Sequence, residues 1–218
     1  MVNQLEANRG VQILDGIYEK CLNGVPKVSK PVEEFANDYI KKYGRTDKAI
    51  NKLVKNQLSK NSINGFVTGF GGFPSTAVTL PANITSVLYV QMRMIAAIAI
   101  IREFDLNDDE VQTFVYMCLA GTAVVDTLKK AGIQVGNRIA LNTIKKVPGS
   151  VFIKINQKVG FRFITKMGQK GVVNLGKSVP VVGAGVGALM DYSTTKLIAN
   201  RAKKMFEGKD IINISEVD

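Results

Sequence analysis

Along most of the chain apolar residues recur every three to four positions, the spacing of helices with one buried side. In residues 4–22 the apolar positions are Leu5, Val11, Leu14, Ile17, Tyr18, Cys21 and Leu22, with Asn23-Gly24 and then Pro26 ending the element. Pro31 suits the first turn of a second helix, where Glu33 and Glu34 favour the positive end of the dipole, and Gly44 stops it after Lys41-Lys42. Thr46 or Asp47 then caps a third helix to about Ser59, with Ala49, Ile50, Leu53, Val54 and Leu58 on one face.

From Ala82 to Glu103 the pattern changes, because apolar side chains run nearly all round the helix. That predicts a central, buried helix. Its apolar length approaches a membrane span, but Gln91 and Arg93 stand at its middle, where a lone charge is costly in lipid, so a single span is rejected. An acidic stretch, Asp105 to Glu110, leads into a helix over 109–131 that ends at Lys129-Lys130, with acids and bases at the ends the dipole prefers. Residues 151–167 carry both periods. Val159 to Phe163 alternates like a strand, while Phe152, Ile155, Val159 and Phe163 form a helical stripe, and the helical surroundings decide for helix. A last helix runs from Pro180, with Gly183 and Gly187 spaced for close approach of a neighbour. The fold class expected is all-α: one domain with N-terminal helices over 1–60, a core over 61–208, and a loose tail over 209–218.

The run LPANITSVLYVQMRMIAAIAIIREFDLNDDEVQTFVYMCLAG, followed by KKAGIQVGN, resembles the EcsC family of bacterial proteins. The resemblance starts at LDGIYEKCLNGVP, passes through GFVTGFGGFP and continues into IKINQKVGFRFITKMGQKGVVNLGKSVPVVG. It implies an all-helical cytoplasmic protein linked to membrane or secretion processes, in a family named for a gene beside those of an ABC transporter and without a settled activity. After Leu80-Pro81-Ala82 the family often has Asp, whereas this chain has Asn83, so no metal or acid role for that carboxylate carries over.

Composition narrows the chemistry. There is no His, which removes Ser-His-Asp and Cys-His catalysis and His-based zinc sites. Cys21 and Cys118, each among apolar residues, fit buried thiols in a reducing compartment. The N-terminus has no apolar stretch of the signal-peptide kind, so a cytoplasmic location is expected, peripheral at the inner face of the membrane if the charge is used there. Net charge is +11, concentrated in residues 129–170, which hold ten Lys or Arg and no acid. Within that stretch Lys154, Lys158 and Arg162 follow at i, i+4 and i+8, roughly 120° from the apolar stripe. With Lys145, Lys146 and Lys166 they make a basic amphipathic element suited to an anionic membrane surface or a membrane protein, ahead of nucleic acid, for which no module is visible.

Two further patterns are weighed against this. Residues 171–178, GVVNLGKS, match the P-loop spacing letter for letter, but no buried strand precedes them, the loop is bulky, and Pro180 follows at once. No nucleotide, metal or other cofactor is expected. Asn83, Gln91, Arg93 and Asp191 form either a buried ion pair of Arg93 with Asp191 or a polar pocket. The leading expectation is a non-enzymatic accessory protein that docks through its basic surface. The alternative is a small-ligand-binding protein or enzyme using that pocket.

Overall fold

The structure is a computed structural model and describes residues 4–58, 82–120, 149–167 and 183–207. Among these residues there are seven helices and no strand: α1 (Gln4–Asn23), α2 (Val32–Tyr43), α3 (Asp47–Leu58), α4 (Ala82–Ile101), α5 (Asp109–Ala120), α6 (Gly149–Met167) and α7 (Gly183–Met205). The fold is all-α, and the segment with two competing periods is helical throughout α6.

α4 lies at the centre. Its residues from Leu88 to Ala99 are all buried, because no side of this helix is polar enough to face water. It packs against α1, α2, α3, α5 and α7. Around it the remaining helices close a ring, α1 against α2, α2 against α3, α3 against α7, α7 against α5, α5 against α6, and α6 back against α1. α6 and α3 therefore stand on opposite sides of the ring.

Local chemistry sets the helix ends. The Thr46 hydroxyl accepts from the Ala49 N–H at 3.4 Å and donates to the Tyr43 carbonyl at 2.8 Å, so Thr46 is the residue that caps α3. α4 closes two residues before the expected Glu103. Glu103 takes a left-handed φ of 65°, and the Phe104 N–H donates back to the Ala99 carbonyl at 3.0 Å. Between α1 and α2 the chain reverses in a tight turn in which the Val25 N–H donates to the Ser29 carbonyl and the Val28 and Ser29 N–H groups donate to the Val25 carbonyl, all at 2.9 Å. Gly24 enters it at φ 76°, and a Cβ there would stand 2.6 Å from the Ser29 carbonyl oxygen. Only glycine fits both demands.

The most extensive helix contact is between α1 and α6. Gly10 and Gly160 meet backbone to backbone at their crossing. Nothing in the sequence pairs two single glycines so far apart in the chain. The Phe114 and Phe152 rings meet edge-on, 6.4 Å between centroids, and tie α6 to α5.

Candidate functional site

α6 carries the middle of the basic element. Phe152, Ile155 and Val159 are buried, and Lys154 and Lys158 are exposed on the outer side. Ile153, beside Lys154, is 60% exposed, which is uncommon for an isoleucine on a packed helix. The glycine crossing sets how α6 lies on α1, and the Gln157 amide reaches Asn8 Oδ1 at 3.5 Å along the same edge. An open groove runs beside it on α1, lined by Gln4, Leu5, Asn8, Arg9 and Gln12. Lys145 and Lys146 lie outside the described residues, as do the side chains of Arg162 and Lys166, whose backbone belongs to α6.

The polar residues of α4 face different neighbours. Gln91 Nε2 donates to Thr195 Oγ1 of α7 at 3.0 Å. Arg93, two residues on and about 200° further round the helix, is turned to α2. One guanidinium nitrogen donates to the Lys30 carbonyl at 2.9 Å, and the group lies 4.0 Å from the centre of the Phe35 ring. Its Nε is buried without a hydrogen-bond partner. Burial pulls the Arg93 pKa below its ordinary value, opposed by Tyr89, Cys21, Tyr39 and Asp38. Among the described residues no carboxylate is within ion-pair distance of it, and Asp38 is itself bonded to Lys30. The side chains of Asn83 and Asp191 lie outside the described residues. The Ser29 and Tyr89 hydroxyls share a hydrogen bond of 2.5 Å, so the turn from Gly24 to Pro31 is clamped to α4 at two points.

A second polar cluster had no sequence signal, since Asp15 is 97 and 101 residues from its two partners. The Tyr116 hydroxyl donates to Asp15 Oδ1 at 2.6 Å, and Gln112 Nε2 donates to the same oxygen at 3.0 Å and to the Tyr116 oxygen at 2.7 Å. Burial raises the Asp15 pKa, only partly offset by the Tyr116 bond, and burial with the neighbouring Asp15 raises that of Tyr116. Such a tyrosine stays protonated, so the group ties α1 to α5 as a hydrogen-bond donor. A turn later on α1 the Tyr18 hydroxyl donates to the Leu106 carbonyl, in the connection between α4 and α5, at 2.7 Å.

Cys21 and Cys118 are free and buried, and burial raises both thiols, Cys118 to about 12. Among the described residues no group of His, Cys, Asp or Glu could hold a metal ion, and no helix is long and apolar enough to cross a membrane. The P-loop-like residues 171–178 lie outside the described residues.

Residues 33–208 match the model of the EcsC protein family, a span that takes in α2 through α7 and leaves α1 outside. No curated protein matches the chain, and no solved structure does.

Proposed function

The chain belongs to the EcsC protein family, and we propose that this member is a non-enzymatic accessory protein that docks through the outer side of α6 on an anionic membrane surface. The observation that carries the reading is the grouping of Lys154, Lys158 and Ile153 on the solvent side of a helix whose opposite side is packed. Each cation close to an anionic bilayer contributes about 1 kcal/mol, and an apolar side chain entering the interface adds about 1–2 kcal/mol. Lys145, Lys146, Arg162 and Lys166 extend the same acid-free stretch of sequence, so the summed attraction reaches the range of useful peripheral binding. α6 suits this task mechanically as well, because its backbone contact with α1 holds the lysines on a rigid support.

The test is co-sedimentation of the full chain with phosphatidylglycerol-containing vesicles and with neutral phosphatidylcholine vesicles, each at low and high salt. Binding is expected only to the anionic vesicles, weakened by salt, and reduced about tenfold by Lys154→Glu with Lys158→Glu. Equal binding to neutral vesicles, or binding indifferent to the double reversal, would overturn the proposal.

A further inference from the structure

Away from α6, the fold assembles a second cationic face that the linear charge pattern does not display. On α3, Lys48, Lys52 and Lys55 are all exposed, at i, i+4 and i+7. On α7, Lys196 and Lys204 are exposed, and Lys203 Nζ donates to Asn51 Oδ1 of α3 at 2.6 Å. That bond lies in the seam between the two helices and sets their lysine rows side by side. Among the described residues none of these six lysines is paired with a carboxylate. Of the acids near these rows whose side chains are described, Asp47 is bonded to Arg102 and Glu207 lies beyond the last turn of α7, while the side chain of Asp191, within α7, lies outside the described residues. Leu197, next to Lys196, is 56% exposed.

We infer that the seam between α3 and α7 is a separate binding surface and that its occupant is an acidic amphipathic helix of a partner protein. Three observations select that occupant. First, exposed lysines stand at i, i+4 and i+7 on α3 and at 196 and 204 on α7, and the two helices pack on each other, so a third helix lying along them brings carboxylates at i, i+3 or i+4, and i+7 within reach of both. Leu197, exposed on α7 beside Lys196, offers that helix an apolar contact. Second, the cations that face water are lysines, while the described arginine of α7, Arg201, is turned inward to the Cys118 carbonyl. Nucleic-acid surfaces favour guanidinium forks over ammonium groups. Third, α3 and α6 stand across the ring from each other. Two helix spacings, roughly 16–20 Å, exceed the screening length of about 8–10 Å, so the α3 lysines act independently of α6.

The probe is a fluorescently labelled amphipathic peptide, helical and rich in Glu with a Leu stripe, followed by anisotropy with the full chain. A DNA duplex and phosphatidylglycerol vesicles serve as competing polyanions. Lys52→Glu with Lys204→Glu is expected to weaken peptide binding about tenfold or more, and Leu197→Ala a few-fold, while Lys154→Glu with Lys158→Glu changes it by less than about twofold. The surface would be refuted if the α6 variant weakened the peptide as much as the seam variant did. The occupant would be refuted if the seam variant cost more in DNA or vesicle binding than in peptide binding. Vesicle binding that fails for every variant sinks the docking role of α6 and leaves the peptide result to be read alone. All these positions are exposed, and unchanged unfolding midpoints confirm that the variants are folded.

Discussion

Replacing Gly160 by alanine sets two effects of opposite sign against each other. Gly160 lies inside α6, where alanine is favoured over glycine by about 1 kcal/mol in helix propensity. A Cβ at this position would fall 2.6 Å from the Ala7 carbonyl oxygen, 2.7 Å from the Val11 nitrogen and 3.0 Å from the Gly10 carbonyl carbon. All three are backbone atoms, so no side-chain rotation relieves the clash. Ordinary contact needs about 3.5 Å, and α1 and α6 must therefore move apart by about 1 Å. The separation loosens Leu14, Ile17, Phe152, Ile155 and Val159, which are buried on these two helices. Overpacking of this kind costs about 1–3 kcal/mol and more when backbone blocks the way, so the clash wins over propensity. Gly160→Ala is expected to destabilise by about 1–3 kcal/mol net, and Gly10→Ala by more, since its Cβ would stand 2.1 Å from the Gly160 carbonyl oxygen. The double variant should cost less than the sum, because one separation of the helices relieves both clashes. Urea unfolding followed by circular dichroism measures all three, with Gly149→Ala as the control, since a Cβ there meets nothing within 4 Å. A Gly160→Ala protein as stable as the wild type, or additive costs in the double variant, would show that the helices do not touch backbone to backbone.

Three more outcomes follow from the buried polar groups. Arg93→Met removes the bond to the Lys30 carbonyl and the cation over Phe35, and an unfolding midpoint should report a loss of about 2–3 kcal/mol. Arg93→Lys should not restore it, because an ammonium cannot stack its plane on the ring while reaching the carbonyl. Asp15 has a pKa raised by burial, so the folded state holds its proton more tightly than the unfolded state, and its contribution is lost as pH rises through the raised value. The stability of wild type relative to Asp15→Asn should accordingly be greater near the unfolded carboxyl pKa of about 4 than at neutral pH, and a flat difference across that range would contradict the assignment. Cys21 and Cys118 should resist a thiol reagent at neutral pH until the protein unfolds, and rapid labelling of either in the native state would show that it is not buried as described.

Burial patterns are local, and for that reason much of the architecture was legible in the chain itself. The stripe Phe152, Ile155, Val159 competed with an alternating pattern until the helical surroundings decided for helix, and once α6 is a helix that stripe turns Lys154 and Lys158 outward, while an unbroken apolar circumference puts α4 at the centre. Glu103 shows the limit of such patterns, since its left-handed φ closes α4 at Ile101, two residues before the boundary the pattern suggests. The sites were less legible. Gln91 and Arg93, adjacent in the sequence pattern, serve α7 and α2 respectively because two residues are half a turn of helix.

Which surfaces of the chain become neighbours is not a local property. Periodicity determines that Lys52 and Lys204 each face water, but their placement along one seam depends on α3 and α7 packing together around α4, more than a hundred residues apart in sequence. The same holds for Gly10 against Gly160 and for Asp15 against Tyr116. A residue's own helix decides how it is exposed, through a repeat of about 3.6 residues. Its partners are chosen only when the greasy faces of separate helices compete for one core, and that selection belongs to the tertiary structure.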